Sequence, residues 1–172
     1  MEITYRAAEH ADLDEIFCLV GAAVEQMERN NIHPWDSIYP TRTDFENDID
    51  KKELYVGTVK DKIAVVYALN RECDEQYRNG KWQYNGDNFI VIHRLCVSPA
   101  FQHKGVADTT IRHIESEAVR SGTEAVRLDV FRENPYALRL YCKNGYHKVG
   151  TADWRKGEFD LMEKLLAPCA QI

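Results

Sequence analysis

An apolar run followed directly by an amphipathic run constrains the fold of this chain more than any other feature. Phe89–Val97, FIVIHRLCV, has the composition of a strand, and it stops at Ser98-Pro99 because proline cannot continue ladder pairing. Apolar residues then recur at three- and four-residue spacing, which predicts a helix over Lys104–Ser121. Ala125–Phe131 is a second strand-like run. A strand, helix, strand series of this kind predicts a sheet with helices on its faces.

The rest of the chain continues this alternation. Further strands are predicted at five places, namely Ile3–Arg6, residues 53–59, residues 62–69, Tyr146–Thr151 and Glu158–Leu165. Further helices are predicted at Asp12–Met27, Asp44–Lys51 and Pro135–Asn144. The 70–88 segment is polar and rich in turn residues, which indicates an excursion between strands. We therefore expect an α/β (α+β) fold with a mixed, mostly antiparallel sheet of about seven strands and helices on both faces.

Length and composition indicate one globular domain over residues 1–172. The 172 residues have a hydrophobic fraction of 44% and a charged fraction of 29%, which are ordinary for a soluble domain. A net charge of −6 without a basic cluster argues against a nucleic-acid partner. No apolar run reaches the roughly 18–20 residues of a membrane span, and the acidic N-terminal segment is unlike a secretory signal. We expect a cytoplasmic protein without a membrane partner.

Cysteine and histidine spacing argues against several kinds of site. The cysteines are odd in number and form no CxxC pair, which predicts reduced thiols, and they are Cys18, Cys73, Cys96, Cys142 and Cys169. The histidines form no HxH or HExxH pattern, so we expect no metal. A nucleophilic pair of Cys96 with His93 is not expected either, because residues three apart on a regular strand face opposite ways.

The stretch FQHKGVADTTI, residues 101–111, lies where the strand pattern ends and the helix pattern begins. The first N–H groups of a helix lack internal partners and lie at the positive end of the helix dipole, so they favour an anion. Gly105 with Ala107 lets a bulky anion such as phosphate approach this backbone. The simpler alternative is that Gly105 only eases a tight turn. The phosphate loops GxxxxGK[ST] and GxGxxG are both absent.

Two motifs at matching spacing make the chain similar to a known superfamily. After the strand that ends LCVSP, the pattern Q-x-x-G-x-A is formed by Gln102, His103, Lys104, Gly105, Val106 and Ala107. Downstream, Asn134 and the ALRLYCKNGY run ending at Tyr146 follow N-x-x-A-x-x-L-Y-x-x-x-G-F/Y. Both resemble the GNAT superfamily of acyl-CoA-dependent N-acetyltransferases, whose loop is Q/R-x-x-G-x-G/A. The match covers residues 88–165, and the N-terminal half agrees only in the order of its elements.

The resemblance implies acetyl-CoA as a cosubstrate and assigns the residues that would bind it. The pyrophosphate is expected on the loop, at the amides of His103–Asp108 and beside Gln102. The pantetheine arm would pair with a strand backbone at Leu95, Cys96 and Val97. Asn134 would hydrogen-bond the same arm as well as cap a helix. The thioester carbonyl would then lie near the N–H of Val97, and a donor aimed at the transition-state oxyanion is worth roughly 3 kcal/mol.

Acetyl transfer needs an acid for the departing CoA thiolate, and the resemblance assigns this role to Tyr141. A reference pKa of about 10, against roughly 8.5 for a thiol, makes that proton transfer mildly uphill. The simpler alternative is that Tyr141 is an aromatic residue packed on an amphipathic helix, where Ala137 and Leu138 lie at helical spacing.

The base that removes the proton of the amine stays open between two residues. Asp129 alternates with apolar neighbours and faces away from them. Its position resembles that of a glutamate that acts as the catalytic base in some superfamily members. His93 shares a strand face with Val91, Leu95 and Val97, and its reference pKa near 6.5 suits proton removal through water. A histidine in such a strand is as often a core residue as a catalyst.

The amine pocket is expected in the least regular segments, because binding residues concentrate on loops. The loop after the first helix supplies Trp35, Asp36 and Tyr39, and aromatic faces with a carboxylate can hold an ammonium group. The resemblance also places the acceptor there. The 70–88 segment, with Trp82 and Tyr84, is the second candidate wall. Its alternative is a solvated hairpin with exposed aromatic rings.

Together these features predict an N-acetyltransferase that moves an acetyl group from acetyl-CoA to a primary amine of a small molecule. The expected mechanism is direct attack in a ternary complex. Acetylation of a protein N-terminus or lysine is one alternative, and a non-catalytic acyl-CoA sensor is another. Tyr141 and Asn134 argue against the sensor, which needs the phosphate loop but no acid. The sequence leaves open whether the protein forms a homodimer.

Overall fold

The computed structural model describes residues 1–167, so Cys169 lies outside the described residues. Within this range Cys18, Cys73, Cys96 and Cys142 are free thiols. None of the helices in residues 1–167 is both long and apolar enough to cross a membrane.

Seven strands and four α-helices follow one another along the described chain. Strands β1 to β7 span Thr4–Ala7, Leu54–Val59, Lys62–Asn70, Phe89–Val97, Ala125–Phe131, His147–Trp154 and Gly157–Leu165. Helices α1 to α4 span Leu13–Arg29, Arg42–Asp50, Val106–Arg120 and Pro135–Lys143. Short 3-10 helices lie at His10–Asp12, Glu75–Asn79 and Pro99–Phe101. The strands and α-helices expected from periodicity are confirmed, whereas 3-10 turns are too short to carry a periodic signal.

The strands form one mixed sheet in the order β1-β2-β3-β4-β5-β7-β6. β1 pairs with β2, β2 with β3, β5 with β7 and β6 with β7, all antiparallel. β4 and β5 are parallel, with Phe89 opposite Ala125 and Ile92 opposite Leu128. Parallel neighbours need a long crossover, which α3 provides. The expected mixed, mostly antiparallel sheet of seven strands is confirmed.

The described chain divides into two compact units. The first contains residues 1–69 and 93–110. Its core is built by α1, α2, β2 and β3, whose fully buried side chains include Ile16, Phe45, Leu54, Val56 and Val66. α1 buries one stripe because its apolar residues recur every three or four positions. α2 starts at a capping box in which Thr41 Oγ1 accepts from the N–H of Asp44 and the Asp44 carboxylate accepts from that of Thr41.

The second unit contains residues 70–92 and the chain from Ile111 onward. Its core cluster holds Tyr77, Val91, Ala152 and Leu161, with Trp82, Phe89, Val149 and Trp154 packed against it. The polar 70–88 segment therefore contributes to a core, and its backbone pairs with β6 where Lys81 N donates to Val149 O at 2.8 Å. Gly150 permits this approach, since a Cβ there would lie 2.7 Å from the carbonyl oxygen of Asn79.

Candidate active site

The turn between β4 and α3, residues 98–105, is exposed at its C-terminal end, residues 103–105. His103 and Gly105 adopt left-handed conformations, with φ of +59° and +79°, so the helix begins at Val106 and not at Lys104 as expected. A Cβ placed on Gly105 would meet no heavy atom within 4 Å, and His103, Lys104 and Gly105 are all exposed. The space beside the first N–H groups of α3 is therefore open.

Side chains of the first unit hold this turn in shape. Gln102 Nε2 donates to Val97 O at 3.2 Å, and Lys104 Nζ donates to Ala100 O at 2.8 Å. In the first turns of α3, buried Thr110 donates to Val106 O at 2.8 Å. Gln102 therefore holds the turn against the end of β4. The turn in consequence presents backbone groups to a ligand.

The electrostatics of the turn favour an anion. α3 begins at Val106, and the first N–H groups of a helix lie at the positive end of its dipole. Val106 itself is buried, which fixes the backbone from which these groups project. Glycine at the entrance and small Ala107 leave room for a group as large as a pyrophosphate. The residues present fit the phosphate end of coenzyme A.

The strand that leads into the turn is irregular. Arg94 has φ of +51°, so side chains do not alternate regularly across it. We expected His93 to share a face with Leu95 and Val97 because side chains alternate along a regular strand. The strand is not regular at Arg94, so the assumption of regularity was wrong. His93, Leu95 and Val97 are all half-buried. The argument that Cys96 and His93 face opposite ways loses its basis for the same reason.

Cys96 is excluded as an acyl carrier on other grounds. It belongs to the core cluster of the first unit and is 4% exposed. Burial raises the pKa of its thiol to about 12, so the thiolate is absent at neutral pH.

The loop between α1 and α2, residues 30–41, holds three predicted amine-binding residues in different settings. Trp35 packs against the core of the first unit. Asp36 Oδ1 accepts from the N–H of Ile38 at 2.9 Å and from that of Tyr39 at 3.3 Å, so its carboxylate shapes its own turn. The ring of Tyr39 has the guanidinium of Arg94 above it, 5.9 Å from the centroid. A cation of the protein therefore already lies at the aromatic face expected to hold the ammonium.

In the second unit, Asn134 and Tyr141 lie at opposite ends of α4. Asn134 Oδ1 accepts from the N–H of Ala137 at 3.1 Å, so the helix cap is confirmed, and its amide nitrogen is a separate donor. Tyr141 is buried, with its ring edge-on to Tyr146 at 5.7 Å between centroids. Burial raises the pKa of Tyr141 well above its ordinary value, and the charge of Asp129 adds to this effect.

Asp129 on β5 accepts a hydrogen bond from a residue that sequence reasoning missed. Tyr77 Oη donates to Asp129 Oδ2 at 2.8 Å, and Tyr77 is only 4% exposed. Burial, and then the charge of Asp129, raise the pKa of Tyr77, which keeps the phenol protonated as the donor. No local signal marks Tyr77, which lies in a polar segment without periodicity.

Trp82 and Tyr84 are anchoring residues of the 70–88 segment. Trp82 stacks on Tyr77 at 5.5 Å, donates from Nε1 to Tyr77 O at 2.8 Å and has the Arg127 guanidinium 4.4 Å from its ring centroid. Tyr84 O accepts from Arg127 Nη2 at 2.6 Å. The alternative of a solvated hairpin with exposed rings was wrong, because both aromatic residues are half-buried.

Among residues 1–167, no three His, Cys, Asp or Glu side chains are grouped as metal ligands would be.

The seven-stranded mixed sheet, with a glycine turn between β4 and its crossover helix, is the fold shared with solved structures of GNAT-family acetyltransferases. The model of the acetyltransferase (GNAT) family matches residues 22–146. The chain belongs to this family of acetyltransferases.

Solved structures agree with this assignment over nearly the whole chain. A GNAT-family acetyltransferase from Streptococcus agalactiae 2603 superposes with a TM-score of 0.86 at 23% identity, covering 95% of each chain. A protein from Staphylococcus aureus Mu50 described as an acetyltransferase is 31% identical, with a TM-score of 0.76, covering 95% of this chain and 99% of its own. PaiA N-acetyltransferase from Thermoplasma acidophilum, solved with coenzyme A, has a TM-score of 0.72 at 18% identity, covering 96% and 99%. No curated protein sequence matches the chain significantly.

Proposed function

We propose that this acetyltransferase transfers the acetyl group of acetyl-CoA to a primary amine of a small molecule, by direct attack in a ternary complex. The observation that carries the proposal is the exposed β4–α3 turn, where left-handed Gly105 leaves open space beside the first N–H groups of a helix. The pyrophosphate binds these amides. Family membership and the coenzyme A bound to a relative of the same fold support this choice of cosubstrate.

The chemistry follows from the positions that the superfamily motif assigns. The pantetheine arm lies along Leu95–Val97, and the N–H of Val97 donates to the thioester oxygen as it becomes negative, a contribution of roughly 3 kcal/mol. The neutral amine attacks the carbonyl carbon, the new C–N bond forms, and the C–S bond breaks to release the CoA thiolate. The nitrogen loses one proton to a base, and the sulfur gains one.

Tyr141 is our proposal for the acid, with Asn134 hydrogen-bonding the pantetheine arm through its amide nitrogen. The raised pKa of Tyr141 keeps the phenol protonated throughout the working pH range, so a donor is always present for the thiolate. His93 and Asp129 remain the two candidate bases, each acting directly or through water. The hydrogen bond from Tyr77 Oη, at 2.8 Å, fixes the orientation of the Asp129 carboxylate.

The proposed acceptor is a small amine bound against the α1–α2 loop. Tyr39 and Ile38 are exposed at the tip of this loop, whereas Trp35 supports it from the core side. The 70–88 segment, which contains Trp82 and Tyr84, is the candidate for the second wall of this amine pocket.

The test of the activity is release of free thiol from acetyl-CoA with a panel of simple primary amines, polyamines, aminoglycosides and peptides. Turnover with a small amine, and mass spectrometry of an N-acetylated product, support the proposal. Turnover with peptides alone would transfer the assignment to a protein N-terminus or lysine. Failure of every amine, with acetyl-CoA bound, would contradict amine acetylation.

A second experiment tests cofactor binding at the β4–α3 turn. Gly105→Glu places bulk and negative charge where the pyrophosphate binds, so CoA affinity measured by calorimetry should fall at least tenfold. Gly122→Glu is the matched control, since Gly122 has φ of +77° and equally open surroundings at the far end of α3. Both variants bear the same backbone strain. If a folded Gly105→Glu variant binds CoA with the affinity of the wild type, the pyrophosphate binds elsewhere.

A further inference from the structure

Arg94 combines two unusual features in the middle of β4. Its backbone is left-handed, with φ of +51°, a conformation that residues with a Cβ adopt only when their surroundings hold them. Its side chain is also largely buried, with 12% of its surface exposed, although arginine is usually a surface residue. Each feature calls for contacts that stabilise it.

Those contacts come from two other elements of the first unit. Arg94 Nε and Nη2 both donate to Asp48 Oδ2 on α2, at 2.9 and 2.5 Å. Arg94 Nη1 donates to Tyr39 Oη, at the tip of the α1–α2 loop, at 2.8 Å. Asp48 is slightly more buried than Arg94, with 9% of its side chain exposed. One guanidinium therefore joins the strand, the helix and the loop.

The guanidinium of Arg94 remains protonated and positively charged. Burial acts to lower the pKa of Arg94, but the Tyr39 hydroxyl and the Asp48 carboxylate together raise it above its ordinary value. A buried pair of this kind is costly to break, because removing one partner leaves the other charge without compensation. The contact is thus a persistent link, unlike the exposed ion pairs elsewhere on α2.

The loop that receives this link has an exposed tip. Ile38 is 64% exposed and Tyr39 is 39% exposed, so the tip gains little stability from apolar burial. The bond from Arg94 to Tyr39 Oη therefore supplies order that packing does not. A loop that is already ordered binds a ligand more tightly, because the entropy of ordering it is not lost on binding.

We propose that Arg94 is a positioning residue for the acceptor amine, and that it acts by linking Tyr39 and Asp48 to β4 and so holding the tip of the α1–α2 loop in its binding shape. This inference rests on the proposed function, because the amine is an acceptor only if the chain transfers acetyl groups to it. Arg94 itself contacts neither the thioester nor the reacting nitrogen in this role.

The kinetic test uses Arg94→Lys, Tyr39→Phe and the double variant, with the panel amine that the wild type acetylates at the highest kcat/KM. Lysine keeps the positive charge but cannot reach both partners with a planar fork, and phenylalanine deletes only the phenol oxygen. We expect each single variant to raise the KM of the amine about 5- to 50-fold, with kcat and the KM of acetyl-CoA within about twofold of wild type. Arg42→Gln is the control, since it removes two exposed ion pairs of a residue on the same helix, α2, one with Asp14 and one with Glu46.

The double variant separates a link from two independent contacts. If Arg94 acts through Tyr39, the double variant should show the KM of the amine that Arg94→Lys shows alone. Multiplied effects would mean that the Tyr39 hydroxyl contacts the amine directly, and an unchanged KM in folded Arg94→Lys would overturn the role of Arg94.

Hydrogen exchange measured without any amine distinguishes failure of this inference from failure of the proposed function. Residues 33–41 should exchange faster in Arg94→Lys and Tyr39→Phe, with residues 98–110 unchanged. Unaltered exchange in residues 33–41 would refute the link even if no amine were acetylated. A wild type that acetylates no amine in the panel would refute the proposed function, and the positioning role with it.

Discussion

At the scale of single residues, burial decides how Tyr141 can act. Its phenol lies beneath the surface of the second unit, and both burial and the charge of Asp129 favour its neutral form. A neutral phenol can donate a proton or a hydrogen bond but cannot accept a proton as a base. The raised pKa also makes full transfer to a thiolate more uphill than the reference values imply, so transfer must accompany cleavage of the C–S bond.

Tyr141→Phe separates the acid from a packing residue. The ring and its contact with Tyr146 remain, so a packing role predicts near-normal turnover. An acid role predicts a kcat lower by roughly 10²- to 10⁴-fold, with acetyl-CoA still bound, because general acid catalysis contributes about that factor. The measurement is steady-state and single-turnover kinetics. Tyr136→Phe, an exposed tyrosine on the same helix, serves as the control. Unaltered kcat with chemistry rate-limiting would remove Tyr141 from the mechanism.

At the scale of elements, one buried ion pair anchors the 70–88 segment to the sheet. Arg127 on β5 donates to Glu163 on β7 at 3.1 Å, and their side chains are 9% and 2% exposed. The guanidinium lies between Trp82 and Phe89, and Glu163 Oε2 accepts from the N–H of Gln83 at 2.7 Å. A polar segment is thus attached through charges and aromatic faces where apolar side chains are scarce.

Glu163→Gln should weaken this anchor. The amide can still accept from the backbone of Gln83, but Arg127 is left buried without a countercharge, so we expect a loss of about 3–5 kcal/mol in the free energy of unfolding. Urea denaturation measures this loss, and hydrogen exchange should show faster exchange over residues 75–84. Arg29→Gln, which removes an exposed pair with Glu25, should change little. Wild-type stability and exchange in Glu163→Gln would show that aromatic packing alone holds the segment.

At the scale of the whole molecule, stability should fall at alkaline pH. Burial raises the pKa values of Tyr77, Tyr141 and Tyr146, so these phenols stay protonated in the folded state when the unfolded state has begun to lose its protons. The stabilising effect is full below the unfolded pKa of about 10 and is lost as the pH rises above it.

The three phenols alone contribute a fall of roughly 2–3 kcal/mol in the free energy of unfolding between about pH 8 and about pH 10.5, and the buried Cys96 thiol, whose pKa is raised to about 12, adds a fall of similar size. Urea denaturation at each pH provides the values, and absorbance of tyrosinate shows when the phenols ionise. The Tyr141→Phe variant lacks one of the three phenols, so its loss should be smaller by about one third of the phenol contribution. Stability that is independent of pH over this range would contradict the reasoning.

The site could be predicted only where its determinants are local. Gln102 and Gly105 lie in one short motif, and Asn134 precedes a proline at a helix start, so the turn and the cap follow from neighbouring residues. Arg94 had a visible signal, a cation inside the apolar run IVIHRLCV, but the pattern does not name its partners. The face of His93 could not be predicted, because the left-handed residue Arg94 interrupts the regular alternation of the strand.

The sequence by itself determined the elements, the mixed sheet, the family and the glycine turn, because periodicity and motifs act between residues that are near one another in the chain. Only the tertiary structure decided which distant groups meet. Tyr77 reaches Asp129 across 52 positions, and Arg94 reaches Asp48 across 46. Such contacts depend on how strands and helices pack, and the same residues in another packing would be ordinary surface groups. This dependence explains why the partners of Arg94 and of Asp129 appear only in the folded chain.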